Sequence, residues 1–149
     1  NVPAVLTLGK VGVEPFWQLL NDVGFNLQEQ ADYYGNALAL GGADITVWQL
    51  ANAYRSLANG GVWRDVRVLP KDESLPISPE KRILSSQSSF IINTILSDRN
   101  ARSLTFGYEN PLATPFWTAV KTGTSKDMRD NWCVGDTQQY TMAVWVRKM

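Results

Sequence analysis

Histidine is absent from the 149 residues, and cysteine occurs once. No Ser-His-Asp triad, Cys-His pair or His-ligated metal can form within this chain. A lone Cys133 excludes an internal disulfide and a Cys-built zinc site. Charge of either sign is not in excess: 14 Lys+Arg face 14 Asp+Glu. That balance leaves no electrostatic footprint for nucleic acid or an anionic membrane. No apolar run has the length of a membrane span, and no signal peptide is recognisable. The chain opens at Asn1 without an initiator Met, so it reads as a piece of something longer. Internal repeats and low-complexity tracts are also missing.

What is present is globular in character. The hydrophobic fraction is 44%, with six Trp spread along the chain. Its length suits one domain or part of one. Residues 3–10 and 13–23 read as helices, with Pro3 and Pro15 in their first turns and Gly24 just past the second. The strongest helix signal covers 47–58. Thr46 and Gln49 form a T-x-x-Q capping box, and Ile45 and Leu50 sit at the positions of a hydrophobic staple. Val47, Leu50, Ala51, Tyr54, Leu57 and Ala58 follow the spacing of one buried face, and Asn59-Gly60-Gly61 ends it.

Residues 62–84 read as short extended pieces and loop, punctuated by Pro70, Pro76 and Pro79. Ser85 caps an expected helix through Ser97, whose Phe90, Ile91, Ile92, Ile95 and Leu96 predict a well-buried element. Residues 98–116 read as loop. Three extended runs follow, at 116–120, 131–134 and 140–146, with 135–139 as the turn between the last two. Along the last run Tyr140, Met142, Val144 and Val146 point one way, and Thr141, Ala143 and Trp145 the other. Helices first and antiparallel strands last predict a mixed α/β chain of the α+β type, with helices packed on a meander sheet.

Chemistry concentrates in Ala119-Val120-Lys121-Thr122-Gly123-Thr124-Ser125. A cation and two hydroxyls lie beside a Gly at the end of an apolar strand. Gly within a strand marks close approach by another backbone, so an extended peptide could pair along this edge. Lys121 and Gly123 share a face under simple pleating, whereas Thr122 faces away unless the strand twists. Lys121, Thr122 and Thr124 could hold a carboxylate by charge-assisted hydrogen bonds, and the Thr124 N–H could serve as an oxyanion donor. Lys-Thr-Gly alone arises by chance in roughly a few per cent of chains this long, and a solvated strand end is the plain alternative.

Longer stretches add to the tripeptide. These are Asn1-Val2-Pro3-Ala4-Val5; Leu40-Gly41-Gly42-Ala43-Asp44-Ile45-Thr46 running into Leu50-Ala51-Asn52-Ala53-Tyr54 and Leu57-Ala58-Asn59-Gly60-Gly61; Phe106-Gly107 with Asn110-Pro111-Leu112; and residues 121–133 (KTGTSKDMRDNWC). In this order they resemble the transpeptidase domain of bifunctional penicillin-binding proteins over essentially the whole chain. The resemblance implies the serine β-lactamase/penicillin-binding transpeptidase fold, here as the C-terminal part of one truncated domain spanning 1–149. It implies D,D-transpeptidation in peptidoglycan synthesis by serine acyl transfer, with D-Ala-D-Ala stem peptides as substrate, β-lactams as inhibitors and no cofactor. It also implies a parent at the periplasmic face of the bacterial inner membrane.

The family works with Ser-x-x-Lys, Ser-x-Asn and Lys-Thr-Gly motifs. By the resemblance, Lys121 hydrogen-bonds the Ser-x-Asn serine. Thr122 and Thr124 bind the terminal carboxylate beside Gly123, and the Thr124 N–H completes the oxyanion hole. Asn1 is the third residue of Ser-x-Asn and orients the acyl amide and the catalytic lysine.

This sequence departs from the pattern in two places. The nucleophile motif is expected upstream of Asn1, which makes the chain alone inactive and the missing upstream segment its natural partner. Ser78-Pro79-Glu80-Lys81 spells Ser-x-x-Lys, but in a Pro-flanked charged loop between the other motifs, which is the wrong context. Ser125 has no Lys three residues on, and Tyr108-Glu109-Asn110 reads as structural loop. At the other end Val144-Trp145-Val146 runs into Arg147-Lys148-Met149, where the family continues into a closing helix. Apolar surface left uncovered there predicts poor solubility or self-association.

Asp127, Arg129 and Asp130 read as a polar turn, Cys133 as a buried structural thiol, and Trp48, Trp63, Trp117 and Trp145 as core. Two other function classes stand beside the enzyme. One is a non-catalytic relic or split-gene fragment that binds peptide ends or partners. The other is a serine β-lactamase or β-lactam sensor, which shares the Lys-Thr-Gly strand but not the 41–61 stretch.

Overall fold

A computed structural model describes residues 1–68 and 79–148. Pro70, Pro76 and Ser78 lie outside the described residues. The chain starts with helices α1 (Val2–Val11) and α2 (Val13–Asp22), separated by Gly12 alone. Asn1 occupies the N-cap position of α1 without a side-chain capping bond. A short helix α3 (Ala31–Tyr34) leads into a 3-10 segment, Gly35–Leu40, that packs on α1 and α2. Leu8, Val23, Ala31 and Leu38 are the buried apolar residues of this helical layer.

Helix α4 (Val47–Ala58) begins where its capping box predicts. The Gln49 N–H donates to Thr46 Oγ1 at 3.1 Å and the Thr46 N–H to Gln49 Oε1 at 2.8 Å. Gln49 Nε2 also reaches the Phe25 carbonyl at 2.7 Å, tying α4 to the loop after α2. The predicted apolar face is only half-buried, and Ala58 is exposed. The deepest side chains of α4 are polar, Asn52 and Ser56. Here the helix is covered from several sides, by α5, β1 and the sheet described below, and close approach favours small residues. Ser56 Oγ satisfies itself on the Ala53 carbonyl at 2.6 Å. The helix ends at Gly60-Gly61, whose N–H groups bond the Leu57 and Ser56 carbonyls. Gly61 has φ 90°, and a Cβ there would lie 2.2 Å from the Leu84 carbonyl oxygen, so no other residue fits.

Strands β1 (Val62–Trp63) and β2 (Lys81–Arg82) form a small antiparallel pair, in line with the short extended pieces expected there. Lys81 Nζ bonds Asp22 at 2.5 Å and holds its carboxyl below the usual carboxylate range.

Helix α5 (Ser86–Ser97) is capped by Ser85, as predicted, but its burial is not. Ser89 is the buried residue, whereas Phe90, Ile91 and Ile95 are more than half exposed. The helix rests on α4 and on one strand, and no described element covers its apolar remainder. The stretch read as loop holds a further helix, α6 (Arg99–Phe106). Asp98 caps it through the N–H groups of Asn100 and Ala101 at 2.9 and 3.1 Å. Its face is sparse, and Leu104 is 93% exposed, so hydrophobic spacing carried no sign of it.

The three-stranded sheet is an antiparallel meander of β3 (Ala119–Thr124), β4 (Asp130–Asp136) and β5 (Thr141–Arg147). The sequence places the first strand at 116–120, whereas it spans Ala119–Thr124, with its ladder running from Ala119 opposite Asp136 to Thr124 opposite Asn131. Pairing needs backbone partners, not apolar side chains. Phe116 and Trp117 fall in the exposed approach to the strand. Cross-strand partners share a face. Ala119, Lys121 and Gly123 therefore lie with Asp136, Val134 and Trp132, and with Thr141, Ala143 and Trp145. Helix α4 packs on β4 and β5, and α5 on β3. The opposite face carries Val120, Thr122 and Thr124 with Cys133, Met142, Val144 and Val146. Met142, Val144 and Val146 are exposed, the uncovered apolar surface the sequence predicts. Trp48, Trp117 and Trp145 are 43–55% exposed instead of core. Trp145 stacks on Trp132 at 5.7 Å.

Candidate active site

Among the described residues β3 is an edge strand, and Lys121, Gly123 and Thr124 are exposed on it. Lys121 Nζ donates to the Thr122 carbonyl at 2.5 Å. Its face is the one shared with Gly123, and the half-buried Thr122 takes the other, opposite Cys133. A Cβ at Gly123 would meet the Trp132 Cβ at 3.6 Å, an ordinary contact, so the bare backbone here leaves room above the strand and not within it. The run thus offers a cation, two hydroxyls and main-chain groups along one open edge. That set suits an anionic, extended ligand.

The turn after the strand is built around Asp130. Its N–H donates to Ser125 Oγ at 2.9 Å, while Ser125 Oγ donates to Asp130 Oδ2 at 3.0 Å. Trp145 Nε1 donates to Asp130 Oδ1 at 3.1 Å, and the Ser125 N–H to the Asp130 carbonyl at 2.9 Å. Ser125 is therefore a turn residue. Asp127 and Met128 hold left-handed backbone, φ 61° and 53°. Asp127 and Arg129 stand exposed at the surface of this turn. Asn110 is likewise structural: it accepts from the Leu112 N–H at 2.9 Å and donates to the Gly107 carbonyl at 2.7 Å.

Asn1 is exposed in the helical layer, its carbonyl accepting from the Ala4 and Val5 N–H groups. No hydrogen bond links it to Lys121. The structure brings Lys121, Thr122, Gly123 and Thr124 together on one strand and leaves Asn1 on a different element. Cys133 is half-buried behind Thr122, and burial pushes its thiol up, away from reactivity.

One residue that the sequence reading placed in a turn has unusual chemistry. Asp136 ends β4 only 2% exposed, and among the described residues its Oδ1 has no hydrogen-bond partner. Burial pushes its carboxyl up to about 6. Burial also pushes the Tyr54 phenol up to about 12, with the nearby Asp136 and Cys133 adding to the effect. Nothing in the pattern Gly135-Asp136-Thr137 distinguishes it from an exposed turn acid. Among the described residues no helix is long and apolar enough to cross a membrane.

The model of the penicillin binding protein transpeptidase domain matches residues 1–148. The chain is 33% identical to penicillin-binding protein 1C of Escherichia coli over 146 residues, 97% of this chain and 18% of that protein. Among solved structures, a peptidoglycan glycosyltransferase from Burkholderia ambifaria superposes with a TM-score of 0.73 at 17% identity, covering 97% of this chain and 52% of the other. Penicillin-binding protein 3 from Mycobacterium tuberculosis, solved in complex with aztreonam, superposes with a TM-score of 0.67 at 18% identity over 95% of this chain and 41% of that one. The chain spans between 18% and 24% of the length of the curated relatives it resembles.

Proposed function

The chain belongs to the penicillin-binding transpeptidase family, and from that premise we propose that it is part of a single D,D-transpeptidase domain that crosslinks peptidoglycan stem peptides. The observation that carries this reading is the open edge of β3, where Lys121 and Thr124 lie exposed on either side of a half-buried Thr122 and a bare Gly123. In the proposed reaction a serine Oγ attacks the penultimate D-Ala carbonyl of a stem peptide. The terminal D-Ala leaves with the proton the serine gives up. The amine of a second stem peptide then attacks the acyl-serine, and the serine regains its proton.

This chain's residues would serve the acceptor of charge. Thr124 N–H holds the oxyanion, and the Thr122 and Thr124 hydroxyls hold the terminal carboxylate. Thr122 and Thr124 lie on one face of β3, so their hydroxyls can meet the carboxylate together, while Lys121 stands on the other face. Lys121 polarises the site and bonds the serine of Ser-x-Asn, with Asn1 as the last residue of that motif. The reactive serine itself is supplied from outside these residues. β-Lactams would occupy the same edge; the mycobacterial protein was solved in complex with one, aztreonam. The domain would work at the periplasmic face of the bacterial inner membrane. The exposed Met142, Val144 and Val146 would drive self-association of the isolated chain, which light scattering measures.

A fluorescent penicillin tests the reading, applied to this chain and to one extended upstream through Ser-x-x-Lys. Labelling of the extended chain alone is the expected result. Labelling of the short chain would overturn the placement of the nucleophile. An unlabelled extended chain, folded by circular dichroism, would overturn the proposed activity.

A further inference from the structure

In an antiparallel ladder, hydrogen-bonded residue pairs alternate with non-bonded ones. The Ser125 N–H donates to the Asp130 carbonyl at 2.9 Å, which makes those two a bonded pair. The next pair inward, Thr124 with Asn131, is then a non-bonded one. The N–H and C=O of Thr124, like those of Thr122, therefore point away from β4 toward the open edge. The Thr122 carbonyl agrees, since Lys121 Nζ reaches it there. The bond between Ser125 and Asp130 thus sets which amides the edge presents.

Burial does not hold that end in place, because Gly123, Thr124 and Ser125 are all exposed. The turn that follows carries left-handed backbone at Asp127 and Met128, a conformation unfavourable for residues with a Cβ. Asp130 closes this turn. Its N–H donates to Ser125 Oγ at 2.9 Å, and its Oδ2 accepts from the same hydroxyl at 3.0 Å. Together with its carbonyl, these contacts grip the residue directly after Thr124. Its Oδ1 accepts from Trp145 Nε1 at 3.1 Å, which ties the turn to β5. Trp145 in turn stacks on Trp132, the register partner of Gly123. Arg147 Nε stands 4.0 Å from Oδ1 as an exposed pair and adds little.

We propose that Asp130 is a positioning residue for acyl transfer: by clamping Ser125 it keeps the Thr124 N–H aimed at the oxyanion. The proposal rests on the acyl-transfer reading of β3 and adds to it a residue that touches no substrate. The clamp works through hydrogen-bond geometry and not through charge. An Asn side chain can accept from Trp145 Nε1 with its oxygen and donate to Ser125 Oγ with its nitrogen, whereas Ala can do neither.

The test uses the chain extended upstream through Ser-x-x-Lys, with a fluorescent penicillin titrated to saturation. Asp130→Ala should lower the saturating acylation rate about 30-fold, short of the outright loss of an oxyanion donor. The half-saturating concentration should stay within about threefold. Asp130→Asn should restore the rate to within about threefold of the unsubstituted chain. Ser125→Ala, at an exposed position, should slow acylation about tenfold, and adding it to Asp130→Ala should cost little more, because the two act as a unit. In Asp130→Ala the Ser125 amide should exchange about tenfold faster. Asp130→Ala at the unsubstituted rate would overturn the proposal, as would Asp130→Asn as slow as Asp130→Ala, a loss confined to half-saturation, or unchanged Ser125 exchange. If Asp130→Ala does not melt cooperatively, Ser125→Ala decides, and an unsubstituted rate there overturns the proposal. A folded, unsubstituted chain that takes no label overturns the acyl-transfer reading and this proposal with it; a labelled one with an indifferent Asp130→Ala overturns this proposal alone.

Discussion

The two ends of the three-stranded sheet share one ladder and differ in almost everything else. At one end Ala119, Asp136 and Thr141 meet, with Ala119 fully buried and Asp136 nearly so. At the other Thr124, Asn131 and Val146 meet, and all three are exposed. Strand geometry is common to both, so the contrast comes from what lies against the strands. Helices α4 and α5 pack on the sheet, whose one end holds the buried Ala119 and Asp136 and whose other end is a polar turn held by Asp130. A closed end holds a fold together and changes the chemistry of any charge caught in it. An open end contributes little to stability and keeps its backbone free for a bulky peptide.

The sharpest separation of these roles is at Lys121. In a chain that includes the reactive serine, Lys121→Ala should slow penicillin acylation by about 100-fold or more, as loss of a preorganised electrostatic group does. Lys121→Arg should not restore the rate, since a planar fork does not replace a compact ammonium. Melting temperature should hardly move, because Lys121 is exposed and, among the described residues, its ammonium bonds the adjacent Thr122 carbonyl. A large loss of stability in Lys121→Ala would break the comparison by making the open end structural too.

Two glycines provide a matched pair. A Cβ at Gly135, in the closed half, would lie 2.5 Å from the Ala119 carbonyl oxygen and 3.2 Å from Val120 Cγ2. Backbone cannot yield there as a side-chain tip can, so Gly135→Ala should cost about 3 kcal/mol in urea unfolding. At Gly123 the one such contact among the described residues is the Trp132 Cβ at 3.6 Å. Gly123→Ala should cost under about 1 kcal/mol and show its effect in acylation instead. Equal costs at the two positions would mean that the open end is packed as tightly as the closed one.

Asp136 tests whether closure carries an electrostatic penalty. Its folded value of about 6 lies above the ordinary 3.8. Between those values the folded state holds a proton that the unfolded state has released, so stability falls as pH rises across that window. Above about pH 6 the whole penalty is present, and below about pH 4 it vanishes. Asp136→Asn should therefore stabilise the chain at pH 8, by about 2 kcal/mol after allowing for the amide's own unmet hydrogen bonds. The gain should disappear near pH 4. A gain that persists at low pH would assign the effect to packing and not to charge.

Local chemistry was legible where a few adjacent residues decide the outcome. Thr46 with Gln49, and Ser85 before its helix, mark their termini because capping is settled within one turn. The face assignment of Lys121 against Thr122 follows from pleating alone and agrees with the register. What depends on distant partners was not legible. Phe90, Ile91 and Ile95 look like core by composition, yet no described element covers them. Asp136 looks like a turn acid, yet α4 and the neighbouring strands bury it. Helix α6 was missed because Asp98 was read without its capping role, and its sparse face offered no spacing to detect. At the proposed site the motif of 121–124 was readable as a unit, whereas its relation to Asn1 depends on how two separate elements are placed.

The smallest expected effect contrasts two caps. Thr46 Oγ1 accepts one N–H, from Gln49, at the start of a helix that covers β4 and β5. Asp98 accepts two, but at the start of α6, which has no buried residue. Each cap contributes about 1 kcal/mol to its own helix. Global unfolding registers that loss only if the helix is part of the cooperative core. Thr46→Ala should lower global stability by about 1 kcal/mol at every pH, whereas Asp98→Ala should mainly speed amide exchange within α6. Hydrogen exchange read alongside urea unfolding separates the two. If Asp98→Ala lowers global stability as much as Thr46→Ala does, then α6 is bound into the closed end, and the boundary between the two regions has to be moved to include it.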